Sequence, residues 1–287
     1  MDPQLGEIRP LDLSDLTSLL QMDTGIEDDY IIRIYSDLVK ADNHSLLGLF
    51  HKEQLLSIGG YSLFGKDTFA MIGRLRTDRR YAGQGFSTQL VKKLVQLLSE
   101  DSRVSWAGAN THVHNNSARK VLEKAGLASG PVIHSLVLTK PGQLKGYKNG
   151  EVWKEIHSLQ EKKDLLVQTE RSRPDIFPYE CYYPLPYHQS LFTDKMLSES
   201  YFYASTNRKR FVIIKTDQKK YRYSHVKYFW DDHYTQPGFF ETIRHHWKQH
   251  PDNYGCWLDF SPTGFSHIPD LSPYEVQEPW VLYEKWK

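Results

Sequence analysis

The segment that decides the fold reads MIGRLRTDRRYAGQGFS over residues 71–87. Its apolar start predicts a strand ending near Thr77, and the FSTQLVKKLVQLLSE that follows has the apolar spacing of a helix. The turn between them contains Gly83 and Gly85. Consecutive backbone N–H groups and the positive end of the helix dipole form an anion site there, and glycine lets the backbone approach a pyrophosphate closely. Arg80 adds a permanent positive charge, although a lone G-x-G more often only connects elements.

The sequence on either side of this turn places it within an ordered series of elements. The predicted order is strand, two helices, three antiparallel strands, helix, strand, helix and strand. The segments behind this prediction are GEIRPLDLSDLTSLL (6–20), DDYIIRIYSDLVKA (28–41), the three apolar runs of 46–77, VSWAGANT (104–111), SARKVLEKAG (117–126) and VIHSLVLTK (132–140).

The second half repeats the order of three strands, a helix and a strand, without the glycine turn, which indicates a degenerate internal duplication. Its segments are SYFYAST (200–206), RFVIIKT (210–216), YRYSHVKYFW (221–230), PGFFETIRHHWKQH (237–250), YGCWLDFS (254–261) and a terminal strand in PWVLYEKWK (279–287). We therefore expect an N-terminal domain over 1–142, a polar connector with one helix over 143–173, and a C-terminal domain over 174–287.

Composition excludes several classes of function. Of the 287 residues, 36 are Lys or Arg and 35 are Asp or Glu, so the net charge of +1 provides no field for nucleic acid. Cys181 and Cys256 are too few for a disulfide framework or a zinc cage. No apolar run reaches the length of a membrane helix, and the N-terminus lacks a signal-peptide core. We expect a cytoplasmic protein without a membrane or nucleic-acid partner.

Two spaced motifs give the chain a family resemblance. The turn from Arg80 to Gly85 resembles motif A of the GNAT acetyltransferase superfamily, Q/R-x-x-G-x-G/A, which grips the pyrophosphate of acetyl-CoA. About thirty residues on, NNSARKVLEKAGL (115–127) resembles motif B, N-x-x-A-x-x-h-Y-x-K-x-G-F. The resemblance implies an α/β (α+β) GNAT fold, with a mixed, mostly antiparallel sheet flanked by helices, followed by a second, degenerate GNAT-like domain.

The resemblance also implies where acetyl-CoA, the co-substrate, would bind. The cofactor would enter a splay between two parallel strands, around 70–77 and 105–112, with backbone N–H groups of 75–77 polarising the thioester. Asn115 takes the place of an asparagine that contacts the pantetheine arm. The expected binding residues are Leu75, Arg76, Thr77, Arg80, Tyr81, Ala82, Gly83, Gln84, Gly85, Phe86, Ser87, Asn115 and Ser117.

The catalytic groups depart from the family pattern. The motif B tyrosine that often protonates the CoA thiolate is Leu122, a packing residue on an amphipathic helix, and no acidic residue lies on the strand before Asp78. A base is needed to take the proton of the amine. The candidates are Glu27, Asp28 and Tyr30 in the segment between the first helices, and His112 and His114 at a strand end.

Among these candidates we favour Tyr30 and His112 equally. Histidine has the ordinary pKa best suited to a base near neutral pH. The acidic run from Glu27 to Asp29 is more typical of a solvated helix start that interacts with the helix dipole.

One other histidine pair has the spacing of metal ligands. His246 and His250 lie one turn apart on a predicted helix, but the H-E-x-x-H glutamate is missing and Pro251 follows. A polar helix surface is the favoured interpretation, and no metal is predicted.

The two-domain layout, with YRYSHVKYFWDD (221–232), a helix and YGCWLDFSP (254–262), resembles the histidine N-acetyltransferase-like proteins. That resemblance implies acetylation of a small amine, an amino acid or a similar molecule, by direct attack in a ternary complex. The alternative is a non-catalytic module that binds acyl-CoA as a sensor or structural ligand. The sequence leaves a homodimer open.

Overall fold

The chain is described by a computed structural model for residues 6–169 and 176–287. Contacts divide it into two compact units. One unit, here called the N-terminal unit, extends to Gly130 and includes Leu282–Lys287, and the other, the C-terminal unit, is Pro131–Val281. The expected boundary at 173/174 lies outside the described residues, so the three-part division stays a proposal. The segment after 142 supplies a strand and the buried Trp153 to the C-terminal unit.

The elements of the first 130 residues follow the predicted order. They are β1 (Glu7–Pro10), α1 (Leu16–Leu20), α2 (Tyr30–Lys40), β2 (His44–His51), β3 (Gln54–Phe64), β4 (Phe69–Thr77), α3 (Phe86–Glu100), β5 (Trp106–His112) and α4 (Asn116–Lys124). Strand order is β1-β2-β3-β4-β5, and all pairs are antiparallel except β4 with β5.

The remaining elements begin with the predicted closing strand. They are β6 (Ala128–Leu138), β7 (Lys154–Ile156), α5 (Leu159–Thr169), β8 (Ile176–Glu180), β9 (Tyr183–Pro186), α6 (Asp194–Ser198), β10 (Tyr201–Ala204), β11 (Phe211–Gln218), β12 (Arg222–Lys227), α7 (Phe239–Gln249), β13 (Gly255–Phe260), α8 (Pro262–Ser266), β14 (Tyr274–Val276) and β15 (Trp280–Trp286).

The C-terminal unit reproduces the strand pattern of the first. Its sheet has the order β6-β13-β12-β11-β10-β7, with β14 also paired to β6, and β8 and β9 form a separate hairpin. Within it β12 and β13 are parallel and α7 connects them, as α3 connects β4 and β5. The topology therefore agrees with the duplicated order expected from the sequence.

The cores explain why these segments form these elements. In the N-terminal unit, Ile31, Tyr35 and Leu38 on α2 are 0%, 1% and 4% exposed, and they pack with Leu46 and Ile58 of the sheet. The apolar stripe of α3, from Leu90 to Leu98, is also buried. In the C-terminal unit, α7 packs its aromatic face on β11, β12 and β13. None of the helices in the described parts of the chain has the length and apolarity needed to cross a membrane.

Candidate active site

The glycine turn ahead of α3 is open. Gly83 and Gly85 have left-handed φ values of 81° and 84°, and a Cβ added to either would have no heavy atom within 4 Å. Gly85 is the N-cap of α3, and no side chain caps this helix. The first N–H groups of a helix have no partner inside it. The turn therefore presents free amides and a positive dipole end to an open space, which fits a pyrophosphate.

The corresponding turn of the C-terminal unit is filled. Contrary to the sequence prediction, a glycine does precede α7, because Gly238 is its N-cap with φ 78°. A Cβ there would lie 2.1 Å from the Glu151 carbonyl oxygen and 2.8 Å from Trp153 Nε1. Trp153 Nε1 donates to the Pro237 carbonyl at 2.8 Å. The start of α7 is thus covered by its own unit, whereas the start of α3 is open.

The positive charge expected from Arg80 is already paired with a carboxylate of the chain. Its guanidinium forms an ion pair with Asp78, whose side chain is fully buried, and donates to the Gln21 carbonyl oxygen at 3.1 Å. The hydrogen bonds that Asp78 accepts from Arg80 outweigh its burial and lower its pKa. Arg80 therefore anchors the turn, and the backbone amides are left as its main anion-binding groups.

Strands β4 and β5 separate beside the turn. Their parallel pairing extends from Phe69↔Trp106 to Ile72↔Ala109 and stops there, although β4 continues to Thr77 and β5 to His112. Beyond these residues the polar ends of the two strands do not pair with each other. This is the splay in which the sequence analysis expected the pantetheine arm and thioester.

One predicted backbone donor faces this splay. Asp78 N–H donates to the Leu56 carbonyl at 3.0 Å, so antiparallel alternation directs the Arg76 amide toward β3 and the Thr77 amide to the β5 side. The Thr77 hydroxyl lies 2.9 Å from Ser57 Oγ and 2.5 Å from Ser87 Oγ. This hydroxyl chain ties the end of β4 to the first turn of α3.

A buried ion pair joins β4 to the start of α2. Asp29 is 5% exposed and accepts from Arg76 at 2.6 and 2.9 Å and from the Ile31 amide at 3.1 Å. Burial opposes its ionisation, but these hydrogen bonds outweigh burial and lower the pKa of Asp29. The expectation of a solvated acidic run is therefore wrong for Asp29, because its partner lies 47 residues away in the chain.

The proposed proton acceptors lie on elements that border the splay. Tyr30, the first residue of α2, is 43% exposed, and the Arg76 guanidinium carbon lies 5.8 Å from its ring centroid. His112 is half-buried at the end of β5, beyond its pairing with β4. His114 is exposed, and Asp28 forms an exposed ion pair with Arg33. The catalytic roles of Tyr30 and His112 remain proposals.

Helix α4 begins and ends as motif B predicts. Asn115 is its N-cap, with Oδ1 accepting from the Ala118 amide at 3.0 Å, and Ser117 is exposed in its first turn. Leu122 is 2% exposed, which confirms its packing role.

Sequence reasoning missed the residue that braces this helix. Tyr283 on β15 is fully buried, its hydroxyl donates to Glu123 at 2.7 Å, and it accepts from Arg119 Nε at 3.1 Å. The glutamate and arginine lie one helical turn apart, but nothing in the sequence indicated which distant segment would meet them.

The histidine pair on α7 is not a polar surface. His246 is 1% exposed, stacks on His250 at a centroid distance of 4.1 Å, and its Nδ1 lies 3.1 Å from the Tyr203 hydroxyl. The predicted polar interpretation is wrong for His246 because strand β10 covers it with Tyr201 and Tyr203.

Among the described residues, one group has metal-ligand geometry. Cys181, Asp217 and His225 in the C-terminal unit offer atoms within 4.8 Å of one another. His225 already meets Lys227 Nζ at 3.0 Å and Asp259 at 3.2 Å, and burial lowers the pKa of Lys227 to about 8. The amine of Lys227 therefore lies against the imidazole of His225. The expectation that the protein binds no metal stays a prediction.

Comparison with protein-family models matches residues 13–127, from α1 through α4, to the acetyltransferase (GNAT) family. This segment, which is less than half of the chain, is similar to GNAT acetyltransferases. GNAT acetyltransferases use acetyl-CoA and act on amine substrates. The open turn, the splay and α4 all lie within the matched residues.

Solved structures resemble the whole chain, not only residues 13–127. A GCN5-related N-acetyltransferase from Sphaerobacter thermophilus is 12% identical with a TM-score of 0.61, covering 99% of this chain and 96% of that one. A proposed acetyltransferase from Pyrococcus horikoshii is 11% identical with a TM-score of 0.58, covering 99% and 90%. At these identities the likeness shows the fold. No curated protein matches the chain.

Proposed function

We propose that the protein transfers the acetyl group of acetyl-CoA to the amine of a small molecule, an amino acid or a similar compound, by direct attack in a ternary complex. The open glycine turn beside the splay of β4 and β5 carries this proposal. The turn is open in the N-terminal unit and filled in the C-terminal unit, so we assign the acetyl-CoA site to the N-terminal unit.

Each part of the proposed site has a distinct role toward acetyl-CoA. The amides from Gly83 to Ser87 bind the pyrophosphate, and Arg80 holds the turn in place through Asp78. Asn115 keeps its amide nitrogen for the pantetheine arm while its oxygen caps α4. The Thr77 amide faces the splay, where a donor stabilises the oxygen of a tetrahedral intermediate.

The reaction needs an unprotonated amine and a leaving thiolate. The amine nitrogen attacks the thioester carbonyl carbon, the carbon–sulfur bond breaks, and the nitrogen loses a proton to His112 or Tyr30. Leu122 cannot donate a proton to sulfur. A thiolate with a pKa of about 8.5 is a tolerable leaving group near neutral pH, so a tyrosine at 122 is not required.

The charges near α2 favour a small acceptor over a basic protein tail. Three acidic side chains of this region are already paired with arginines: Asp23 with Arg79, Asp28 with Arg33, and Asp29 with Arg76. A cleft that recruits a lysine-rich tail needs acidic groups that are available to it. These three carboxylates are paired with arginines of the same chain, so they are not available to a basic tail.

The proposal is tested by thermal stabilisation with acetyl-CoA followed by CoA release with a panel of amino acids, polyamines and aminoglycosides. We expect stabilisation and turnover on one amine class. Stabilisation without turnover on any amine would support the sensor alternative. Replacing His112 by Gln and Tyr30 by Phe together should reduce kcat by a factor of about 10² or more and change its pH profile. An unchanged profile would remove both residues from consideration.

A further inference from the structure

Arg74 occupies a bulge in β4 beside the splay. Ile58 pairs with Arg76 and Gly60 with Gly73, so Arg74 and Leu75 together oppose Gly59. The φ of Arg74 is 59°, in the left-handed region that favours glycine. Non-glycine residues held in such conformations by the surrounding structure cluster at functional sites.

Among residues 6–169 and 176–287, the Arg74 guanidinium forms no ion pair with a carboxylate. Within the described parts of the chain its buried Nε has no hydrogen-bond partner. The other arginines of this segment are paired: Arg76 with Asp29, Arg79 with Asp23, and Arg80 with Asp78. A partly buried cation is unfavourable without a counter-charge, and the planar fork of arginine fits a carboxylate with two parallel hydrogen bonds.

The charge of Arg74 acts on His44, a residue on the α2 face of the sheet. Burial and then the charge of Arg74 lower the pKa of His44, which is the first residue of β2. Strand alternation puts His44 on the face of Leu46 and Phe50, which pack with α2. Arg74 also follows Ile72 by two residues, and Ile72 is where β4 and β5 stop pairing.

We propose that Arg74 binds a carboxylate of the acceptor, so that the substrates are α-amino acids or other amines with a carboxylate close to the nitrogen. This assignment rests on the proposed function, which puts the thioester in the splay beside the bulge. The carboxylate of an α-amino acid is one carbon from its amine. A cation beside the thioester therefore holds the carboxylate while the amine faces the carbonyl carbon.

The test compares matched acceptors, for instance histidine with histamine and phenylalanine with phenethylamine. For the wild type we expect kcat/KM to be at least tenfold higher for the carboxylate member of the accepted pair. R74G should remove this preference by raising KM for that member about tenfold or more, and it should leave acetyl-CoA affinity unchanged. Glycine suits the left-handed backbone, so the variant should unfold at the same temperature or a higher one. R103Q, which removes a surface arginine paired with Asp67 and Asp101, should behave like the wild type.

The outcomes separate this inference from the proposed function. If R74G acetylates amines and keeps the carboxylate preference, or if the wild type has none, the inference is wrong while the proposed function stands. If no amine is acetylated, the proposed function fails, and thermal stabilisation by the free amino acids decides the role of Arg74. Stabilisation of the wild type but not of R74G would support carboxylate binding, and equal responses would overturn it.

Discussion

At the level of single residues, the proposed acetyl-CoA site depends on backbone geometry as much as on side chains. Gly83 adopts a left-handed φ and faces open space, so a side chain there meets two penalties of different kinds. The backbone strain lowers stability, and the added atoms occupy the space proposed for the pyrophosphate. Gly126 separates these effects, because it too has a left-handed φ of 86° and open space but lies at the far end of α4.

Gly83→Val should therefore raise the Kd for acetyl-CoA at least tenfold, whereas Gly126→Val should not. Both should lower the free energy of unfolding by about 1–2 kcal/mol, the cost of a left-handed residue with a Cβ. Titration calorimetry and chemical unfolding measure the two quantities. Equal acetyl-CoA affinities for the two variants would contradict the assignment of the turn.

The Asp29–Arg76 pair makes a second residue-scale prediction. Asp29→Asn keeps an oxygen to cap α2 but removes the charge, so we expect the free energy of unfolding to fall by about 3 kcal/mol. Asp28→Asn breaks an exposed pair and should cost less than about 0.5 kcal/mol. Since the folded pKa of Asp29 is lowered, its contribution is complete above the ordinary pKa and is lost as pH falls through the folded value. Urea unfolding at several pH values measures these free energies. Equal decreases for Asp29→Asn and Asp28→Asn would show that the Asp29–Arg76 pair is no stronger than an exposed one.

At the scale of elements, α7 shows how burial changes the chemistry of a polar stretch. The segment HHWKQH looks solvent-facing, yet His246 is almost completely buried, as is His233, which precedes the helix in the chain. Burial lowers the pKa of each to about 3, and for His246 the charges of His250 and His245 add to it. These imidazoles are therefore neutral in the folded protein near neutral pH.

Acid should destabilise the protein through these histidines. Between the folded pKa of about 3 and the ordinary value of 6.5, the unfolded chain binds a proton at His246 that the folded chain does not. The free energy of unfolding should fall as pH decreases, by up to about 1.4 kcal/mol per pH unit for each such group. His246→Gln should reduce this slope, while His245→Gln, at an exposed position, should not. Identical slopes in chemical unfolding at pH 4–7 would show that His246 does not contribute.

For the molecule as a whole, most of the last strand, from Leu282 onward, belongs to the N-terminal unit. Leu282 and Tyr283 are fully buried, and Trp106 Nε1 donates to Glu284 at 2.7 Å. Tyr283 also braces α4 through Glu123 and Arg119. The unit that we propose binds acetyl-CoA is therefore completed by the end of the chain.

Removing residues 282–287 should lower the free energy of unfolding by more than about 4 kcal/mol, because it exposes two core positions and the partners of Tyr283. Removing only 286–287 should have a small effect, of about 1 kcal/mol, since Trp286 is 56% exposed. Calorimetric unfolding distinguishes the two truncations. If removal of 282–287 left the free energy of unfolding nearly unchanged, β15 would contribute little to the stability of the N-terminal unit.

Much of this molecule could be predicted from its sequence. Local signals, the glycine turn and the apolar periods, predicted the elements from β1 to β6 and the repeat in the second half, and the two motifs located the candidate site. The hairpin β8–β9 was missed because Pro178, Pro184 and Pro186 are typical of loops. The burial of Asp29 and His246 depends on Arg76 and Tyr203, which are distant in the chain, so no local pattern could indicate it.

Calorimetric titration of the full chain with acetyl-CoA tests directly whether the open turn at Gly83 binds the cofactor. We predict saturable binding of one acetyl-CoA per chain, because the turn at Gly83 is open and the turn at Gly238 is filled by Trp153 and Glu151. Binding of two molecules per chain would contradict the assignment to the N-terminal unit. The absence of binding would contradict the proposed function itself.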